Sequence, residues 1–159
     1  MAESKISKCS KLIAGKGLTI AFAESATAGW LCSEFALTEE SGKILKGGLV
    51  CYDAGLKVSL LKVSQGLIDQ FTPESMEVTR AMAYGLRDLI ASDIQVTVTG
   101  LTTPGGSETA EKPVGTMFVF ALLRDREASF RKVFTGSCEE IIHQTVEAAA
   151  ELLAGLLKP

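Results

Sequence analysis

The fold of this chain is decided by the stretch LTIAFAESATAG at residues 18–29. Residues 18–23 form a short apolar run that is typical of a buried strand, and residues 28–37 have helical spacing. Trp30, Leu31 and Phe35 are the expected core side chains of that helix. A strand that leads into a helix is the building unit of α/β folds, so this stretch predicts a sheet covered by helices.

The same alternation continues along the rest of the chain. Apolar periodicity predicts further helices over residues 3–15, 54–61, 66–71, 73–91 and 138–157, and further strands over residues 47–52, 94–99, 116–123 and 128–134. Pro73 in the first turn and Glu74 near the positive end of the helix dipole indicate where the long helix begins. The turn at residues 124–126 joins the last two strands into a hairpin, so at least one strand is antiparallel. We therefore predict one α/β domain over residues 1–159, with a mixed, mostly parallel five-stranded sheet and helices on both faces.

Composition excludes several classes of protein. The chain has 159 residues, of which 47% are hydrophobic and 22% are charged, and a net charge of −3. These values are typical of a globular domain rather than a disordered one, and the acidic balance argues against nucleic acid as the partner. The sequence has no apolar run long enough for a membrane span, and residues 1–5 do not resemble a signal peptide. We therefore expect a cytoplasmic protein in which Cys9, Cys32, Cys51 and Cys138 are buried, reduced thiols.

Three loops follow predicted strands, where open α/β sheets bind their ligands. In the first, Ser25 stands before a helix, so it is either a nucleophile beside free backbone N–H groups or, like Thr27, a helix N-cap. In the second, Lys57 is either a general base with a lowered pKa or an exposed helix lysine. Tyr52 could hydrogen-bond a ligand or pack half-buried on the strand. The only histidine, His143, lies in a predicted helix, which disfavours it as the base and excludes a zinc site rich in histidine.

The third loop, residues 100–107, has the sequence GLTTPGGS. Its glycines allow backbone N–H groups to approach an anion closely, although a plain connection is the alternative. The loop matches neither the dinucleotide fingerprint nor the Walker motif.

Taken in order along the chain, four motifs resemble those of a known family. They are the E-S-x-T-x-G element at residues 24–29, Tyr52 with Lys57 five residues later, the G-x-x-x-P-x-G loop and the run EKPVGT at residues 111–116. This combination resembles the CinA C-terminal domain family, the competence/damage-inducible proteins, over residues 6–156. The enzymatic members of that family are nicotinamide mononucleotide deamidases.

The resemblance implies a three-layer α/β/α domain that forms a homodimer. It implies an amidohydrolase that converts nicotinamide mononucleotide and water to nicotinate mononucleotide and ammonia, without metal or other cofactor. The implied nucleophile is Ser25 and the implied base is Lys57. The implied substrate contacts come from the three loops: Thr27, Gly29, Tyr52, Gly100, Thr102, Gly105 and Gly106.

Some family positions are occupied by other residues here. Ala26 and Ala28 stand where the family usually has Cys and Gly, and Cys138 and Ile142 stand where it has two arginines. Arginine is well suited to binding phosphate through paired hydrogen bonds. The alternative prediction is therefore a catalytically silent domain that binds a small ligand or has a regulatory role.

Overall fold

The protein is described here by a computed structural model that covers residues 2–159. Its helices are α1 (Lys5–Gly15), α2 (Trp30–Ala36), α3 (Ser41–Ile44), α4 (Ala54–Ser59), α5 (Gln65–Phe71), α6 (Met76–Leu89) and α7 (Cys138–Leu156). Its strands are β1 (Ile20–Glu24), β2 (Leu45–Val50), β3 (Ile94–Gly100), β4 (Thr116–Leu123) and β5 (Arg126–Val133). Each predicted helix and strand is present, and α3 is an additional element.

The five strands form one mixed sheet in the order β2-β1-β3-β4-β5. β1 pairs in parallel with both β2 and β3, whereas β4 is antiparallel to β3 and to β5. Four strands therefore run in one direction and β4 runs against them, which confirms the prediction of a mixed, mostly parallel sheet. The carboxyl ends of β1, β2 and β3 lie at the same edge.

Helices cover both faces of the sheet, so the three-layer α/β/α architecture is confirmed. Alternate residues of β1 divide between two cores. Ile20 and Phe22 pack in the larger core with α1, α2 and α7, while Ala21 and Ala23 pack in the smaller one with α5 and α6. Within residues 2–159, none of the helices combines the length and the apolar character needed to cross a membrane.

The start of α6 differs from the prediction. Ser75 is its N-cap, and the Ser75 hydroxyl accepts a hydrogen bond from the Val78 N–H. Pro73 and Glu74 lie before the helix, so the prediction that they form its first turn was wrong. The reason is that Ser75 supplies an acceptor for the unpaired N–H groups of the first turn, which proline cannot do.

Three smaller differences concern β2, the hairpin and two of the cysteines. β2 lies two residues earlier than predicted because it pairs with β1 from Leu45 onward. Its partner register shifts between Ile20 and Ala21. The hairpin turn consists of Arg124 and Asp125 alone, with Arg124 at a φ of 57°. Cys138 is exposed at the start of α7 and Cys32 is half-buried, so the prediction that all four thiols are buried was wrong for these two residues.

Candidate active site

Ser25 follows β1 directly and is fixed by the sheet. Its N–H donates to the carbonyl of Val98 in β3 at 3.0 Å, which continues the parallel pairing of the two strands. The residue is only 7% exposed. Its hydroxyl oxygen lies 3.1 Å from the Nζ atom of Lys57. The serine is thus held where the strand ends, with a lysine amine within hydrogen-bond distance.

Lys57 is a buried lysine in α4. It is 1% exposed, and its Nζ donates to the carbonyl of Cys51 at 3.2 Å. Burial lowers the pKa of the Lys57 amine below its ordinary value, against the opposing charges of Cys51, Glu74 and Asp53. Burial therefore favours the neutral amine, which is the form that can accept a proton. Of the two interpretations that the sequence allowed, the exposed helix lysine was wrong.

The first turn of α2 is capped by Glu24, and neither Ser25 nor Thr27 caps it. The Glu24 carboxylate accepts from the N–H of Leu31 at 2.7 Å and from that of Cys32 at 3.0 Å. The Thr27 hydroxyl donates to the same carboxylate at 2.6 Å. The N-cap prediction for the two hydroxyl residues was wrong because a strand residue reaches the helix donors first. A glutamate that ends a wholly buried apolar strand was the signal in the sequence for this role.

Strand register explains why two residues so far apart in sequence meet. Glu24 pairs with Val50 across β1 and β2, and its carbonyl accepts from the N–H of Cys51 at 2.8 Å. Ser25 and Cys51 therefore lie beside each other just beyond the ends of their strands. The short helix α4 that follows turns Lys57 back onto this point.

A cavity of about 200 Å³ opens in front of Ser25. It is lined by Ser25, Ala26, Tyr52, Glu74 and residues 100–106. Five of the predicted substrate-binding residues lie in this lining: Tyr52, Gly100, Thr102, Gly105 and Gly106. The volume is below the roughly 300–1,000 Å³ of pockets for drug-sized ligands. The cavity can enclose the reacting end of a ligand, and the rest of a larger ligand would lie outside it.

Two of the predicted substrate contacts do not line this cavity. Thr27 is 1% exposed, and its hydroxyl is bound to Glu24. Gly29, with a φ of 94°, is the N-cap residue of α2 and borders a separate surface cavity beside Trp30. Both residues shape the loop that carries Ser25 and stand away from the ligand space.

The glycine loop is folded onto the side chain of Glu108, the residue that follows it. The N–H groups of Gly105 and Gly106 each donate to the Glu108 carboxylate at 2.9 Å. The hydrogen bond from Gly105 is the main cause that lowers the pKa of Glu108. The backbone donors expected to cradle a ligand anion are thus used within the protein.

Another backbone donor remains near the serine. The N–H of Ala26 makes no hydrogen bond within residues 2–159, and Ala26 lines the cavity next to Ser25. An unpaired N–H beside a nucleophile is the feature that stabilises an oxyanion.

Lys112 lies between the glycine loop and the segment before α6. Its Nζ donates to the Thr72 hydroxyl at 2.6 Å, the Ser107 hydroxyl at 2.8 Å and the Glu74 carbonyl at 2.9 Å. The Ser107 hydroxyl in turn donates to the Glu74 carboxylate. Partial burial lowers the pKa of the Lys112 amine. Sequence analysis missed Glu74 and Lys112 as a connected pair because nothing local indicates that residues nearly forty positions apart share a partner.

His143 does not line the cavity, and its ring contacts a residue outside it. It lies on α7, where its ring packs edge-on against that of Trp30 with centroids 4.7 Å apart. Among residues 2–159, His, Cys, Asp and Glu side chains do not gather anywhere in a group of three that could hold a metal ion.

The sequence is similar to those of known proteins. The profile of the CinA C-terminal domain family matches residues 2–157. A CinA-like protein of Petrotoga mobilis is 40% identical over 124 residues, which are 77% of this chain and 30% of that protein. One of Desulfotalea psychrophila is 33% identical over 138 residues, 87% of this chain and 33% of that protein. The chain spans about a third of the length of these curated relatives.

Solved structures of similar proteins superpose over almost the whole chain. The competence/damage inducible protein CihA from Agrobacterium tumefaciens gives a TM-score of 0.89 at 26% identity, covering 99% of this chain and 100% of that one. A CinA superfamily protein from Escherichia coli gives 0.90 at 27% identity, covering 96% of this chain and 88% of that one.

Proposed function

The chain belongs to the CinA C-terminal domain family, and from that premise we propose that it is an amide hydrolase with Ser25 as nucleophile and Lys57 as general base. The proposed substrates are small carboxamides of the nicotinamide type, including nicotinamide mononucleotide, with ammonia as a product. The observation that carries the proposal is the 3.1 Å distance between the Ser25 hydroxyl and a buried lysine amine at the wall of a cavity. Nucleophile and base within hydrogen-bond reach are the signature of covalent catalysis.

The first half of the proposed reaction forms an acyl-enzyme. Neutral Lys57 accepts the hydroxyl proton while the Ser25 oxygen bonds to the amide carbon and the carbonyl becomes an oxyanion. The proposed donor to that charge is the N–H of Ala26, which has no partner within residues 2–159 and belongs to a residue of the cavity lining. The oxyanion then collapses, the carbon–nitrogen bond breaks, and the Lys57 ammonium gives its proton to the departing ammonia.

The second half restores the enzyme. Lys57, neutral again, accepts a proton from water while the water oxygen attacks the ester carbon. Collapse of the second oxyanion breaks the bond to Ser25, and the proton returns from Lys57 to the serine oxygen. The products are a carboxylic acid and free enzyme, so the atoms balance with water as co-reactant.

Ammonia release tests the proposal. Purified protein is incubated with nicotinamide mononucleotide, nicotinamide riboside or nicotinamide, and ammonia is measured. We expect release with at least one of these amides, abolished in Ser25→Ala and Lys57→Ala. Ser33→Ala is the matched control because Ser33 is exposed on α2 and makes no side-chain hydrogen bond within residues 2–159.

The competing outcome is a domain that binds ligands without turnover. It would give no ammonia from any of the three amides, together with a melting temperature raised by a ligand. That result would refute the hydrolase. A homodimer and a cytoplasmic location stay predictions from the sequence.

A further inference from the structure

We infer that Thr102 is a further catalytic residue, whose hydroxyl donates a hydrogen bond to the oxyanion that forms when Ser25 attacks a carbonyl carbon. The inference deepens the proposed function and rests on it for the identity of the nucleophile and the base. Sequence analysis predicted Thr102 as a substrate contact and gave it no part in the chemistry. The structure adds the burial of its side chain, its lack of a partner and the side of Ser25 on which it lies.

The Thr102 hydroxyl is buried and has no hydrogen-bond partner in the protein. The residue is 7% exposed, yet its side chain neither donates nor accepts a hydrogen bond within residues 2–159. In the same range, the side-chain atoms that are sealed from solvent without a partner belong to Ser10 and Gln95. The Thr102 oxygen is not one of them, so it keeps contact with open space, and Thr102 lines the cavity in front of Ser25.

The other hydroxyl groups that line the cavity differ from that of Thr102. Ser25 is the nucleophile, Tyr52 is 58% exposed, and Thr103 is also exposed. Water competes for exposed hydroxyl groups, whereas a hydroxyl in a shielded place gains more from a ligand partner. Among the hydroxyl groups of this lining, Thr102 therefore provides the one that is both shielded and free to bind.

The order of the strands places Lys57 and Thr102 on opposite sides of Ser25. β1 lies between β2 and β3. Lys57 follows β2 and donates to the Cys51 carbonyl just beyond the end of that strand. Thr102 follows β3, whose Val98 carbonyl accepts from the Ser25 N–H. Ser25 therefore has the amine on its β2 side and the loop that carries Thr102 on its β3 side.

This arrangement assigns the two polar atoms of the reacting amide. In the proposed reaction Lys57 gives its proton to the departing nitrogen, so the nitrogen faces the β2 side. The carbonyl oxygen is bonded to the same carbon and points away from the nitrogen, toward the β3 side where Thr102 lies. The Thr102 O–H donates there, beside the N–H of Ala26.

Two backbone donors of the glycine loop are already occupied. The N–H groups of Gly105 and Gly106 bind the Glu108 carboxylate at 2.9 Å. Oxyanions of acyl transfer are held by backbone N–H groups, by side-chain donors or by both together. A hydrogen bond to a charged oxygen is about twice as strong as one between neutral groups. The Thr102 hydroxyl therefore stabilises the oxyanion more than the neutral substrate, which is the condition for an effect on kcat.

Replacement of Thr102 by valine tests this role. Valine has a similar shape and lacks the hydroxyl, so Thr102→Val should lower kcat for ammonia release about 10- to 100-fold with little change in KM. Thr102→Ser keeps the hydroxyl and should retain most of the activity. The melting temperature of Thr102→Val should equal or exceed that of wild type, because the hydroxyl has no partner in the protein to lose.

Thr135→Val is the matched control. It makes the same change at an exposed position, and the Thr135 hydroxyl also has no hydrogen bond within residues 2–159. Its kcat should equal that of wild type. An unchanged kcat in Thr102→Val, or a lower melting temperature with a change in KM alone, would overturn the catalytic role.

A boronic acid tests Thr102 without any turnover. In 3-pyridineboronic acid, a boron atom stands where nicotinamide has its amide carbon. The Ser25 oxygen bonds to boron and Lys57 takes the hydroxyl proton, which gives an anionic tetrahedral adduct in which no carbon bond breaks. One boronate oxygen then occupies the place of the oxyanion. In calorimetric titrations, Thr102→Val should raise Kd at least about tenfold, Thr135→Val should match wild type, and Ser25→Ala should not bind.

The outcomes separate this inference from the proposed function. An adduct that weakens in Thr102→Val, without ammonia release from any amide, would refute the hydrolase and support the role of Thr102. Ammonia release with equal kcat in wild type and Thr102→Val would support the hydrolase and overturn the role of Thr102. Equal boronate affinity in the two proteins, or no affinity in either, would also overturn it.

Discussion

Replacement of Glu24 by alanine tests how the loop that carries Ser25 is held. The Glu24 carboxylate is buried and accepts three hydrogen bonds, from the N–H groups of Leu31 and Cys32 and from the Thr27 hydroxyl. In Glu24→Ala these three donors lose their acceptor at once, at the first turn of α2. The strand, the nucleophile loop and the helix are thereby uncoupled.

The expected destabilisation follows from the number of donors. A buried donor left without a partner costs about 1–3 kcal/mol, and Glu24→Ala leaves three such donors. Water that enters the vacated space satisfies part of the loss, so we expect Glu24→Ala to lower the free energy of unfolding by about 3–5 kcal/mol. Glu24→Gln retains one carbonyl oxygen and should lose about 1–3 kcal/mol.

Urea unfolding measures this difference. Trp30 is the only tryptophan of the chain and the first residue of α2, so its fluorescence reports on the affected turn, with circular dichroism as the global probe. Glu34→Ala on the same helix is the control, with an expected change within about 0.5 kcal/mol because Glu34 forms no hydrogen bond or ion pair within residues 2–159. A loss below about 1 kcal/mol in Glu24→Ala would refute the capping role.

Three further predictions concern Lys57 and two glycines. Burial lowers the pKa of Lys57, and the neutral amine acts as the base. Therefore kcat/KM should rise with pH and reach a plateau below the ordinary lysine pKa of 10.5. A value of kcat/KM that still rises above pH 10.5 would contradict a buried base. The buried charge of Lys57 destabilises the folded state. This loss of stability is complete at pH values below the lowered pKa and declines as the pH rises to 10.5. Lys57→Met should therefore raise the melting temperature at pH 7, by an amount that shrinks toward pH 10, and should abolish ammonia release. Gly115 has a φ of 100°, and an added Cβ would overlap the Phe134 carbonyl, whereas Gly17 has a φ of 67° and open space around it. Gly115→Ala should therefore destabilise by at least about 2 kcal/mol in urea and Gly17→Ala by about 1 kcal/mol, and equal losses would argue against the overlap.

Local pattern predicted the elements well where burial has a simple period. The helices α1 and α7 and the strands β3 and β4 lie within about two residues of their predicted bounds. One face of each helix is apolar, β3 alternates apolar and polar residues, and β4 is apolar along almost its whole length. β2 was displaced because it is an edge strand in which Gly47 and Gly48 weaken the apolar pattern. Pro73 misled the prediction of α6 because its fixed φ suits a helix start, yet Ser75 has the side chain that satisfies the free donors.

The amino-acid sequence by itself determined the alternation of strands and helices, the hairpin and the reactive residue types at the strand ends. These properties are encoded within a few neighbouring residues, through apolar period and turn chemistry. The tertiary structure alone decided that Lys57 is buried against Ser25, that Glu24 caps a helix seven residues further on, and that Glu108 fills the glycine loop while Glu74 faces the cavity. Such contacts depend on strand register and on desolvation, which arise only when distant segments pack together, so no local pattern contains them.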